Sequence, residues 1–329
     1  MNKLKVLIIV CIAGALLTVP ALAVVKKVAQ TGLQFLKIDM STRAAAMGGS
    51  YIVVGNDATA MFYNPAGLAK MESRIDAFVT QTQWIADISY IGGGLAYNAG
   101  NWGTFGVSYL TSDYGGSIMG TRYDPTTAKG FIDTGELKVG AYALGFSYAK
   151  ALTNKFTLGG QIKYCYQQLG ENLVPEGPTN KNEVSGLAYD FGTIFYPGFK
   201  SFRLGMTVRN FSPEFKYVQE GFELPMTFVI GVAMDVMDLM GEHQNPLLVS
   251  IDATHPRDYT ERVHVGAEYT YMNLVSLRAG YKFNYDMEGL TAGIGFQKKL
   301  GGIGLNIGYA YSDVQYFDAV HRISLGVSF

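Results

Sequence analysis

The chain ends His321-Arg322-Ile323-Ser324-Leu325-Gly326-Val327-Ser328-Phe329. Ile323, Leu325, Val327 and Phe329 alternate with Arg322, Ser324, Gly326 and Ser328. Successive side chains of a strand point to opposite faces, so a period of two predicts a strand with one greasy face and one small or polar face. The pattern recurs upstream. Val263, Val265, Ala267, Tyr269 and Tyr271 alternate with His264, Gly266, Glu268 and Thr270. Val275, Leu277, Ala279, Tyr281 and Phe283 alternate with Ser276, Arg278, Gly280 and Lys282, and Phe156, Leu158, Ile162, Tyr164 and Tyr166 with Thr157, Gly159, Gln161, Lys163 and Cys165.

A soluble sandwich alternates too, with its apolar face turned to a core. Tyrosines near the strand ends point instead to an apolar-out wall with an interfacial aromatic girdle. Composition agrees. Charged residues are 16% of the 329, against about 25% in a soluble domain. Tyr (22) and Gly (40) are abundant, which argues against disorder and against a helical bundle. A net charge of −1 offers no basic face for phosphates, so no nucleic-acid partner is expected. The longest uncharged stretch, 88–112, is long enough to span as a helix, but Gly92, Gly93, Gly94, Gly100, Gly103 and Gly106 would make it a poor one. The remaining way to satisfy every backbone group in lipid is a closed barrel.

Strands are predicted near 74–82, 88–98, 102–112, 136–150, 155–169, 184–196, 201–211, 222–236, 246–254, 261–271, 274–285, 289–298, 303–311 and 320–329, fourteen in all. Their connections alternate in length. Tight turns follow the even strands, except at 237–245, whereas 113–135 and 170–183 are long and 212–221 is intermediate. Short periplasmic turns and longer outer loops are the asymmetry expected of an outer-membrane barrel. The two long loops are the candidates for gripping a partner.

The N-terminus reads as an export signal. Lys3 and Lys5 precede an apolar run over 6–17, then Pro20 and Ala21-Leu22-Ala23, so residues 1–23 are expected to be a signal peptide. Cys165 is then the one remaining cysteine, with neither a disulfide partner nor a zinc-binding pair. His243, His255, His264 and His321 fall in no metal spacing. Asp252, His255 and Asp258 fall on a strand end and a Pro-containing turn. No nucleophile elbow or phosphate-binding loop is present, so the chain is read as not an enzyme: no catalytic residue, no metal and no cofactor.

Residues 24–73 are too apolar for a disordered tail, and small residues crowd them. Because a fourteen-strand barrel is wider than its own side chains fill, this segment is expected to fold into the lumen as a hatch, or plug, leaving 74–329 as the barrel. The inward-facing charges are Lys163, Arg203, Arg209, Asp252, His264, Glu268, Arg278 and Lys282. Asp252, His264, Glu268, Arg278 and Lys282 lie on three consecutive strands. They read as one ion-paired wall that anchors the plug or, alternatively, as a polar solute path.

Phe35-Leu36-Lys37-Ile38, the 43–49 segment and Asp57-Ala58-Thr59-Ala60-Met61-Phe62-Tyr63-Asn64-Pro65-Ala66-Gly67-Leu68-Ala69 resemble the N-terminal signature of the PorV/PorQ family, within the FadL-type outer-membrane superfamily. Asp252-Ala253-Thr254-His255-Pro256 and Leu277-Arg278-Ala279-Gly280-Tyr281-Lys282-Phe283 agree with it. The resemblance implies an all-β, transmembrane antiparallel barrel of about fourteen strands in the bacterial outer membrane. Asn64, Pro65 and Ala66 match the hatch motif, and the terminal aromatic Phe329 matches the signal read by barrel assembly machinery. It implies two functions: a type IX secretion shuttle or cargo-binding component, whose partners are secreted cargo and other secretion components, or a FadL-like transporter of hydrophobic small molecules. In either case the barrel is bathed in outer-membrane lipid.

Overall fold

A computed structural model describes residues 31–116, 118–172, 180–241 and 243–329. The expected signal peptide, and residues 24–30 of the expected hatch, lie outside them. The alternating stretches form β1 (Ile75–Gln83), β2 (Ser89–Asn98), β3 (Thr104–Asp113), β6 (Val139–Thr153), β7 (Phe156–Asn172), β8 (Asn180–Phe195) and β9 (Arg203–Phe211). They continue as β12 (Thr227–Asp235), β13 (Leu247–Pro256), β14 (Arg262–Tyr271), β15 (Val275–Phe283), β16 (Glu288–Leu300), β17 (Ile303–Val314) and β18 (Val320–Ser328). These fourteen close into one antiparallel barrel. Two small hairpins stand in its loops: β4 (Met119–Tyr123) with β5 (Phe131–Glu136), and β10 (Phe215–Lys216) with β11 (Gly221–Phe222). Among the described residues no helix is long and apolar enough to cross a membrane.

The barrel closes by pairing β1 with β18, Val79 opposite Leu325 and Thr80 opposite Ser324. Phe329 finishes the seam. Its N–H donates to the Ile75 carbonyl at 2.8 Å, and its own carbonyl accepts from the Arg74 N–H at 2.6 Å. Deleting Phe329 removes both bonds and the terminal aromatic. The yield of folded, heat-modifiable barrel in the outer membrane is expected to fall; unchanged yield on a gel shift would contradict this assignment. Along β18 the faces divide as the alternation requires: Ile323 is 61% exposed, toward lipid, while Arg322 is 1% exposed, toward the interior.

β7 and β8 extend to Asn172 and Asn180, so the described residues at both ends of 170–183 are strand. The alternation fades there because a strand beyond the lipid needs no apolar outer face. The irregular 237–245 connection contains a 3₁₀ turn, Val236–Leu239, capped by the Asp235 carboxylate. The glycines at 92–94 stay in register with β1 and β3. They accommodate close approach rather than a bulge, since a Cβ at Gly94 would meet the Met61 side chain at 2.6 Å.

Residues 31–73 form short pieces: 3₁₀ turns Gln34–Lys37, Ala58–Phe62 and Pro65–Lys70, and one helical turn, α1 (Thr42–Ala46). Thr31 bridges Glu223 in the β11–β12 connection at the outer end, and Met71 leads into β1 at the short-turn end. The segment therefore runs the length of the barrel. It touches the inner faces of β2, β3, β6–β8 and β15–β18. Gly159 is required by this approach: a Cβ there would lie 2.7 Å from the Ala66 Cα.

Candidate functional site

An irregular backbone at membrane depth is tolerated only where protein satisfies its N–H and C=O groups. The barrel wall does this with inward-facing polar side chains. Asp252, fully buried, accepts the Tyr51 N–H (2.8 Å) and the Ile52 N–H (3.2 Å) through one carboxylate oxygen. Thr291 accepts from the Gly48 N–H and donates to the Ala46 carbonyl, both at 2.9 Å. Arg203 donates to the Val53 carbonyl, Arg209 to the Phe62 carbonyl, and Arg322 to the Asp39 carbonyl.

Asn64-Pro65-Ala66 forms the tightest of these seats. Asn64 is the N-cap of the turn Pro65–Lys70: its oxygen accepts the Ala66 N–H at 3.1 Å. Its amide donates to the Ile52 carbonyl and, across to β8, to the Thr193 carbonyl. Pro65 occupies the first position of the turn, where a missing N–H costs nothing. Ala66 is fully buried, and its backbone lies against Gly159.

The five charges placed on consecutive strands do not form one continuous wall. They divide into four seats. Glu268 and Arg278 meet across β14 and β15 at 2.5 Å, and Arg43 of α1 completes the group with a two-pronged contact to the same carboxylate, 2.6 Å at the shorter prong. Lys282 bonds Glu288 at 2.5 Å and Asp39 of the N-terminal segment at 3.2 Å. His264 turns its Nε2 to the Tyr285 hydroxyl at 2.8 Å, and Asp252 holds backbone instead of pairing with it. Lys163 pairs with Asp190 at 2.8 Å.

Sequence reasoning did not find the partners Asp39, Arg43, Asp190, Glu288 and Arg322. The signal lay in Asp39 and Arg43, two charges inside an otherwise apolar, small-residue stretch. A further latch sits at the outer end, where Asp258 accepts from Lys37 (2.7 Å) and Thr31 (2.8 Å).

Asp39 pairs with Lys282 at 3.2 Å while Arg322 donates to its carbonyl, so two wall cations hold this piece of the segment. Asp39→Asn is expected to destabilise the protein by about 1–3 kcal/mol, the cost of leaving a buried charge one partner short. Unfolding midpoints in detergent check it; an unchanged midpoint would refute it.

The space left in the lumen is unequal. At the short-turn end a cavity of about 1200 Å³ opens beneath Arg43, Glu268 and Arg278, with Asp57, Asp76 and Lys299 on its sides. Toward the outer end Leu33, Phe35, Leu36 and Met40 fill an apolar interior against Tyr90, Leu110, Cys165, Val184 and Phe215.

Residues 133–326, more than half of the chain, match the family model of the type IX secretion system membrane protein PorP/SprF. The chain belongs to the PorP/SprF family. It is an outer-membrane β-barrel of a secretion-system family, not of an enzyme family, so its short turns face the periplasm. Among curated proteins none matches. Of solved structures, a Pseudomonas aeruginosa FadL homologue aligns over 88% of this chain and 98% of its own at 12% identity, TM-score 0.55. The Pseudomonas putida toluene transporter TodX aligns over 88% and 96% at 14% identity, TM-score 0.57. At such identities the likeness is one of fold. The PorP/SprF match and the PorV/PorQ resemblance agree on a type IX secretion barrel.

Proposed function

We propose that this PorP/SprF barrel serves type IX secretion as a closed, cargo-binding or shuttle component of the kind the PorV/PorQ likeness implies, with residues 24–73 as its hatch and Asn64-Pro65-Ala66 as the hatch anchor. The observation that carries the reading is the lumen: the chain's own residues 31–73 thread it, and its outer half is packed with their apolar side chains. Contact with partners then falls to the outer hairpins, β4–β5 and the β7–β8 extension. A pull-down from native membranes is expected to recover exported proteins that share a C-terminal sorting domain. Recovery of none of them, with normal secretion in a deletion strain, would reject the reading.

The second reading, transport of hydrophobic small molecules, is favoured by the apolar outer half of the lumen. It requires Phe35 and Leu36 to leave that space. Lost uptake of an alkane, monoaromatic or fatty acid in the deletion strain, with secretion intact, would reverse the order.

A further inference from the structure

Two adjacent periplasmic turns, 153–156 between β6 and β7 and 196–202 between β8 and β9, gather four lysines. The turns are laced together: the Tyr196 N–H donates to the Lys155 carbonyl at 2.7 Å, and Lys155 Nζ reaches the Pro197 carbonyl at 3.4 Å. Lys70, at the end of the last 3₁₀ turn, donates to the Asn154 carbonyl at 3.5 Å and lies over the Tyr196 ring. Lys200 sits in the second turn with φ 52°, and Lys150 is exposed near the end of β6. Among the described residues none of the four forms a salt bridge. Lys70 and Lys155 each donate to one carbonyl, which leaves further donors on each ammonium for a ligand.

Asp238, the carboxylate that touches the second turn, is already engaged: one oxygen accepts the Ser201 N–H at 3.1 Å and the other faces His243. The next stretch of the rim carries no such charge, and the cations across the barrel, Lys298 and Lys299 at the end of β16, form a separate pair. The connections 236–246 and 272–274 contain no Lys or Arg. Interleaved with the lysines, Phe199 and Leu152 are 58% and 56% exposed. Apolar tips beside cations at the edge of an apolar band mark a surface that dips into lipid, its ammonium groups reaching back to the headgroups. An acidic protein face would match the charge but leave Phe199 and Leu152 unexplained.

We propose that these paired turns form a seat for an anionic phospholipid of the inner leaflet, the phosphate held by Lys150, Lys155 and Lys200 with Lys70 behind them, and the acyl chains against Leu152 and Phe199. The ligand class is a phosphodiester with net negative charge, such as phosphatidylglycerol or cardiolipin. The site is independent of what the outer hairpins bind.

The purified full-length barrel is titrated with phosphatidylglycerol and, separately, with phosphatidylethanolamine, and bound lipid is counted by native mass spectrometry. Phosphatidylglycerol is expected to bind at least tenfold tighter, with a preference that collapses at 1 M salt. Lysines at a membrane surface attract anionic headgroups, and here three act together. The triple variant K150Q/K155Q/K200Q is therefore expected to lose on the order of a hundredfold in phosphatidylglycerol affinity. K298Q/K299Q, elsewhere on the rim, is expected to lose little. Equal binding of the two lipids by the natural protein overturns the proposal whether or not the triple variant folds. So does a preference that survives 1 M salt, an equal loss in K298Q/K299Q, or inorganic phosphate competing as strongly as the lipid.

Discussion

Glu268→Ala is expected to destabilise the barrel by about 3–5 kcal/mol, the cost of stranding buried charge. Glu268 is 5% exposed and Arg278 8%. Removing the carboxylate leaves Arg278 facing Arg43 with no anion between them, and α1 loses its ionic hold on the wall. Arg43→Met should cost much less, because Glu268 keeps Arg278. It removes the share of residues 31–73 in the group and leaves the wall's share intact. Denaturant midpoints for the two variants and for the double variant give the coupling between Arg43 and Glu268 directly. A loss below about 1 kcal/mol in Glu268→Ala would mean that solvent from the cavity below already screens the group.

Leu325→Arg is the second large effect, about 2–4 kcal/mol, because it places a charge near the middle of the lipid-facing band. Leu325 is 48% exposed on the outer face of β18. Its neighbour Ser324 faces inward, where its hydroxyl meets that of Thr42 at 2.6 Å and borders the periplasmic cavity. Ser324→Arg is expected to cost about 1 kcal/mol, one hydrogen bond, since the longer side chain extends into the cavity. Folded fraction by heat modifiability in matched detergent separates the two. Equal losses would mean that the assigned faces of β18 are wrong.

The strands were legible because lipid outside and polar groups inside impose opposite demands on alternate residues. Thus β15 was readable from Leu277, Ala279 and Tyr281 against Arg278, Gly280 and Lys282. Where the lipid ends, as at Gly170 to Asn172, the demand ends and the reading falters. The inward charges were legible for the same reason, yet their partners were not. Glu268 and Arg278 are ten residues apart and fall opposite each other by register, but Arg43 reaches them from 225 residues away along the chain. Local periodicity carries no information about such a contact. The Asn64-Pro65-Ala66 motif is a similar case: the tripeptide is visible in sequence, but not the Thr193 carbonyl and Gly159 that it needs.

The wall is written along the chain: its strand count, its two faces and its outer-membrane setting. All of these follow from the side-chain period of two and the turn lengths, which are properties of neighbouring residues. The occupation of the interior emerges only on folding: which wall group holds which piece of residues 31–73, and that the outer half is filled while the periplasmic end stays open. Barrel closure brings distant strands around one irregular segment, and each of that segment's buried N–H and C=O groups must find whichever partner the closed wall presents.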